Sequence, residues 1–317
     1  MKVDYLHRHP DFKELLSIVA EEKSIDPYLV EKDYWIMHCL FGLQKLGLQF
    51  ELKGGTSLSK AYKIIDRFSE DIDIHIHPAQ DLNINENPKN TNANNSQKRL
   101  DFFNYLAQTI DIDGIVEVSR DTNFDDERYY RSGGIRLVYS SHFQPVPGIK
   151  EGILLEVGFD TVNPNTPIDI SSWALEKAQE SKVEIIDNKA LQVPCYHLGY
   201  TFVEKLQTIV TKYRNMTESG NHQVNFMRQY YDIFHLLQQQ EVNDFMGTDE
   251  YHQHKEARFP AADYKIALSE NQAFLLENIE IRAKLKDLYH TSHGLYYNGQ
   301  PDFEEMLEYI QKQLHKL

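Results

Sequence analysis

"LKGGTSLSKAY" (residues 52–62), followed after a short gap by "RFSEDIDIHIH" (residues 67–77), decides how this chain folds. In the second stretch Ile72, Ile74 and Ile76 alternate with Asp71, Asp73, His75 and His77. That period of two predicts a strand with one apolar and one polar face, and it points both aspartates the same way. Two carboxylates held that close oppose each other's ionisation unless positive charge lies between them. A divalent cation meets that need, and hard carboxylate oxygens suit Mg²⁺, with Mn²⁺ able to substitute. Taken alone, Asp-Ile-Asp reads just as well as the wet face of an edge strand.

The residues before it tilt the reading. "LQFELKGG" (48–55) predicts a short strand running into two glycines, and "TSLSKAYKII" (56–65) has helical spacing. Gly54 and Gly55 at a strand-to-helix turn allow backbone N–H groups to approach an anion closely, and Thr56 or Ser57 can add a hydroxyl donor. The turn is not a P-loop, because Lys60 does not directly follow a glycine. Lys60 and Arg67 can contact phosphate or buttress their neighbours. A third carboxylate is available in "GILLEVGFD" (152–160), where Leu155, Val157 and Phe159 alternate with Glu156, Gly158 and Asp160. A phosphate turn beside metal carboxylates describes a site for a nucleotide bound as its Mg²⁺ complex.

Working outward, residues 10–46 predict two helices, and "GIVEVSRD" and "GGIRLVYSSHF" predict two more strands. The Asn-rich stretch "DLNINENPKNTNANNS" (81–96) reads as a mobile surface loop with helix resuming at residue 98. Past Asn163 the texture is irregular. From His197 four segments carry helical spacing: "HLGYTFVEKLQTIVTKYRN", "HQVNFMRQYYDIFHLLQQQ", "NQAFLLENIEIRAKLKDLY" and "FEEMLEYIQKQL". The fold class is therefore α+β, a short mixed sheet with flanking helices followed by a C-terminal helical bundle. We place the boundary between residues 1–165 and 166–317.

The chain of 317 residues carries 33 Lys plus Arg against 48 Asp plus Glu, a formal charge of -15. That balance excludes a protein that coats nucleic acid through a uniformly basic surface, though not a locally basic site. Residues 128–150 hold Arg128, Arg131, Arg136 and Lys150 with no acidic residue, and Tyr129 and Tyr130 lie among them. This reads either as a strip for a nucleic-acid backbone and a stacked base or as a charged rim around a sheet. Cys39 and Cys195 fit buried small side chains in a reducing compartment. With no membrane span or signal segment expected, the localisation expected is cytoplasmic.

The glycine turn and carboxylate strand resemble the signature of the AbiEii/AbiGii-type toxin family, within the DNA polymerase β-like nucleotidyltransferase superfamily. The resemblance covers roughly residues 30–240. It implies that Gly54, Gly55 and Thr56 contact the phosphates of an incoming nucleotide. It also implies that Asp71 and Asp73 hold catalytic metal, joined by Glu156. A helical Glu-Lys-Leu element is matched by Glu204, Lys205 and Leu206, and a later element by Arg228 through Ile233. Lys205 and Asp232 thereby inherit roles in nucleotide binding and activity across a cleft, although each can equally form a structural pair holding two helices together. The implied biology is a toxin of a toxin–antitoxin or abortive-infection system. It would be restrained by a cognate antitoxin and would transfer a nucleotide from an NTP to RNA, tRNA included. Two other readings stand beside this one. Asp-x-Asp-x-His-x-His can serve a transition-metal hydrolase, though four alternating residues span too far for one ion. A non-catalytic nucleotide-binding or regulatory module is the other.

Overall fold

The computed structural model describes residues 3–220 and 225–317. It divides into two compact units. One comprises residues through Lys63 together with Phe68–Tyr196, and the other comprises Ile64–Arg67 with His197–Leu317.

In the first unit α1 (Phe12–Lys23) and α2 (Pro27–Lys45) lead into β1 (Phe50–Lys53). Asp26 caps α2 by accepting from the Tyr28 N–H at 2.8 Å, and Pro27 occupies the first turn, where its missing donor costs nothing. A one-turn helix α3 (Gly54–Thr56) and a π-helical turn (Ser57–Ala61) follow, then β2 (Asp71–Ile76), α4 (Ala93–Thr109), β3 (Ile115–Asp121), β4 (Ser132–Tyr139) and β5 (Ile153–Gly158). Next come β6 (Asn165–Ile170), α5 (Trp173–Glu180) and β7 (Ala190–Tyr196). Among the described residues the strands form one seven-stranded mixed sheet in the order β3-β4-β5-β2-β1-β7-β6. Ile72, Ile74 and Ile76 are fully buried, each side chain contributing about 1.5–3 kcal/mol by leaving water. β2 is thus a central strand, not the wet edge of a sheet.

The sheet unit extends to Tyr196, past the boundary at residue 165 expected from the sequence. β6 and β7 pair with each other, and β7 continues the sheet beside β1. Pro167 and Pro194 face each other in that pair, and Gln192 has a left-handed φ of 49°. Both features break the local pattern that announces a strand. Residues 81–96 are also more structured than a bare loop. The side chains of Asn85, Asn87, Asn90 and Asn92 each accept from the N–H two residues on, a run of Asx turns that ends by capping α4. The fully buried Arg99 guanidinium donates to the carbonyls of Asn85, Asn87, Asn90 and Tyr129, and lies over the Phe159 ring.

The second unit is helical: α6 (Leu198–Ser219), α7 (Arg228–Leu236), α8 (Gln240–Phe245), α9 (Asp249–Arg258), α10 (Ala261–Tyr264), α11 (Gln272–Leu275), α12 (Ile279–Thr291) and α13 (Phe303–Gln313). Of the segment expected to be helical from His222, residues 222–224 lie outside the described residues. α6 packs against both α7 and α9, and its end is capped by Gly220 at φ 70°. The stretch expected as one helix from Asn271 is two, interrupted at Leu276 with φ 47°. Residues 64–67 belong here because Tyr297 N–H donates to Asp66 O at 3.0 Å, Asp66 N–H donates to the Tyr231 hydroxyl at 3.1 Å, and Arg67 bridges to Tyr296. Among the described residues no helix is long and apolar enough to cross a membrane.

Candidate functional site

The sheet register assembles the carboxylates. β2 and β5 are parallel neighbours with Asp73 opposite Glu156, so these two side chains share a face, and Asp71 is two residues away on the same face. On the other side of β2 the antiparallel β1 sets Lys53 opposite Asp73, and Lys53 Nζ donates to Asp160 Oδ2 at 2.9 Å. Asp71, Asp73 and Glu156, expected together from the sequence, are brought together in this unit.

Gly54 has a left-handed φ of 76°, and a Cβ built on it would fall 1.9 Å from Asp73 Oδ2. The glycine is therefore required twice, by its backbone conformation and by the carboxylate packed against it. The sequence suggested close approach to a phosphate; the structure shows close approach to Asp73. Gly55, Thr56 and Ser57 are buried in the same turn. The Thr56 hydroxyl donates to the Asp71 backbone carbonyl, tying the glycine turn to the carboxylate strand.

Lys150 Nζ donates to Asp71 Oδ2 at 2.8 Å and lies 4.4 Å from the centroid of the Phe124 ring. Its backbone is fixed from below. The Lys150 N–H donates to Glu70 Oε2 at 2.8 Å, and the buried Lys32 ammonium donates to the carbonyls of Lys150 and Gly152. Burial pushes the Lys32 ammonium down to about 8, against the opposing pull of Glu70. The other oxygen of Asp71, Oδ1, is buried with no hydrogen-bond partner. An orphaned carboxylate oxygen beside two further carboxylates is a donor set that fits a hard divalent cation. Lys32 and Glu70 were not singled out in the sequence, and Lys150 reads there as part of the basic strip, because their convergence spans more than a hundred positions.

The remaining residues read as phosphate contacts have other partners. Lys60 forms a part-buried ion pair with Asp33, which also accepts from the Trp173 N–H at 2.9 Å. Arg67 holds Asp232 through two bonds of 2.7 Å, and Lys205 Nζ approaches the same carboxylate at 2.8 Å. Asp232 is fully buried within the helical unit. Burial alone would raise its pKa, but Arg67 and then Lys205 hold it down at about 2. Lys205 and Asp232 thus join α6 to α7.

The basic strip is largely neutralised. Arg131 pairs with Asp126 and Arg136 with Asp121, while Arg128 stacks over Tyr129. These acids lie just outside the 128–150 window in which the charge was counted.

His75 and His77 do not complete the aspartate cluster. They meet Glu51 of β1 and Glu86 of the Asn-rich insertion, and Glu51, His75 and His77 present ligand atoms within 4.8 Å of one another. The polar face of β2 is therefore two separate groups, and a Glu/His/His cluster able to hold a divalent metal is one of them. Cys39 and Cys195 are both buried free thiols.

Comparison with curated proteins gave no match. The family described as nucleotidyl transferase AbiEii toxin, type IV toxin–antitoxin system, matches residues 35–309. That span takes in the C-terminal part of α2, the glycine turn, all three carboxylates and nearly the whole helical unit. On this match the chain belongs to the AbiEii nucleotidyltransferase toxin family.

Proposed function

We propose that this protein is a Mg²⁺-dependent nucleotidyltransferase that moves a nucleotide from an NTP to an RNA acceptor, tRNA included, in the cytoplasm. A cognate antitoxin would restrain it. The observation that carries the reading is the convergence of Asp71, Asp73 and Glu156 on one face of two parallel strands, with Asp71 Oδ1 buried and unpartnered.

Asp71 and Asp73 would hold the cation, with Glu156 beside them. When bound, the ion supplies charge neutralisation and Lewis-acid polarisation at the phosphates. The chain's own groups do the rest. Glu156 would join Asp71 and Asp73 as the third metal carboxylate. The first N–H groups of the Gly54–Ser57 turn have no helical acceptors before them and can donate to phosphate oxygens. The Thr56 hydroxyl fixes the Asp71 backbone, so its contact to phosphate would come from the backbone N–H. Lys150 neutralises Asp71 and, with a cation held there, would be available to an NTP phosphate. Because the long basic strip is mostly paired with acids, the RNA contact would be small and local.

The test is incubation with each labelled NTP, Mg²⁺ and total cellular RNA. Label on RNA of tRNA size, lost in both Asp71→Asn and Asp73→Asn, supports the reading. Transfer that persists in both variants refutes it, and free phosphate released without a labelled acceptor would favour hydrolysis instead.

A further inference from the structure

The second group on the polar face of β2 has its own chemistry. His75 Nε2 and His77 Nδ1 each lie 2.8 Å from the same oxygen of Glu86. In its neutral form each ring donates there, which leaves the nitrogens on the opposite side, His75 Nδ1 and His77 Nε2, with the lone pairs. Those lone pairs face Glu51 Oε2 at 3.7 and 3.6 Å. With both rings neutral, two imidazole acceptors and a carboxylate oxygen thus converge on one point. Glu51 Oε2 and His75 Nδ1 are both buried and lack a hydrogen-bond partner, and His75 is only 6% exposed. The other oxygen of Glu51 accepts from the Asn163 and Asn165 amides at 3.3 and 3.2 Å, which orients the carboxylate toward the gap.

We propose that Glu51, His75 and His77 form a binding site for a Zn²⁺-class transition-metal ion, separate from the aspartate cluster. Two imidazole nitrogens and one carboxylate select a borderline cation over Mg²⁺. Ligand atoms about 2.0–2.1 Å from a tetrahedral ion stand about 3.3 Å apart, so each imidazole needs to close on Glu51 by only a few tenths of an ångström, and all three ligand atoms already lie within 4.8 Å of one another. Three protein ligands leave the fourth position to water. Glu86 accepts from both non-ligating ring nitrogens, the outer-shell arrangement that orients metal-bound histidines. Because Glu86 belongs to residues 81–96, the ion would couple that insertion to the centre of the sheet. The Asx turns and Arg99 hold the insertion's backbone, and Glu86 is its side chain in the site.

Titration of tag-free, chelator-treated full-length protein with Co²⁺ tests this directly. One equivalent should produce the intense visible absorption of a four-coordinate ion, and Zn²⁺ should abolish it by displacement. Glu51→Gln and the more exposed His77→Gln should lose the signal, while the Asp71→Asn/Asp73→Asn double variant keeps it. Glu86→Gln should bind about 10–100-fold more weakly. Circular dichroism melts identify any variant that fails to fold, and His77→Gln at a half-exposed position then carries the comparison. Absence of four-coordinate absorption in the parent protein overturns the site. So does its survival in folded His77→Gln or its loss in the double aspartate variant.

Discussion

Gly54 leaves room for the Asp73 carboxylate: a methyl group at position 54 would sit 1.9 Å from Asp73 Oδ2. The glycine turn and the carboxylate strand are therefore one device, in which the turn shapes the position of a metal-ligand candidate as well as any phosphate contact.

Gly54→Ala follows directly. The left-handed backbone costs an alanine about 1–2 kcal/mol, and the clash moves the Asp73 carboxylate. A displacement near 1 Å at a reacting centre lowers turnover about 100-fold. The expected result is a folded protein, with a modest drop in melting temperature and nucleotide transfer reduced by about that factor. A variant as active as the parent would show that Asp73 is not held by the turn.

Lys150→Met separates two roles of that ammonium. Lys150 competes with a cation for Asp71, so the variant should bind Mg²⁺ several-fold more tightly in calorimetry without nucleotide. Transfer activity should fall, because the charge is then absent from the NTP phosphates. Unchanged Mg²⁺ affinity would place the lysine outside the cation's site.

Asp232 predicts an acid-sensitive helical unit. Its folded pKa of about 2 lies below the ordinary 3.8, so the unfolded chain takes up the proton first as pH falls. The stabilisation is complete above about pH 4, is lost as pH drops through 2, and amounts to about 2 kcal/mol. Asp232→Asn leaves Arg67 and Lys205 facing no charge, costs about 3–5 kcal/mol at neutral pH, and should lack the step between pH 4 and 2. Thermal melts across that range decide it, and equal slopes in parent and variant would count against the triad.

Arg99→Met removes the donor shared by four carbonyls. Leaving such groups unmet costs about 1–3 kcal/mol each where they stay dry, less where water reaches them. Cleavage within residues 81–96 under limited proteolysis should accelerate at least tenfold. A cleavage rate equal to the parent's would mean that the Asx turns suffice alone.

Period-two alternation made β2 and β5 legible in the sequence, and with them Asp71, Asp73 and Glu156, because burial of Ile72, Ile74, Leu155 and Val157 dictates where their neighbours point. β6 and β7 were hidden by Pro167, Pro194 and the left-handed Gln192, none of which belongs to a regular strand pattern. The break at Leu276 falls inside an apolar run with no Gly or Pro to mark it. Pairings such as Lys150 with Asp71, or Glu51 and Glu86 with the histidines, arise from sheet register and loop placement, which local spacing does not encode. The basic strip misled for the same reason: its counter-charges, Asp121 and Asp126, sit immediately upstream in sequence but close on it in space.

Ile64–Arg67 belongs with the helical unit although Lys63 and Phe68 on either side belong with the sheet. The two units cannot be parted by one cut in the chain. A protein ended at Tyr196 keeps Arg67 but loses Asp232, and leaves without its carboxylate a guanidinium that is buried in the full chain. The Arg67–Asp232 pair clasps α7 to a stretch of chain that enters the carboxylate strand at Asp71 after only three more residues.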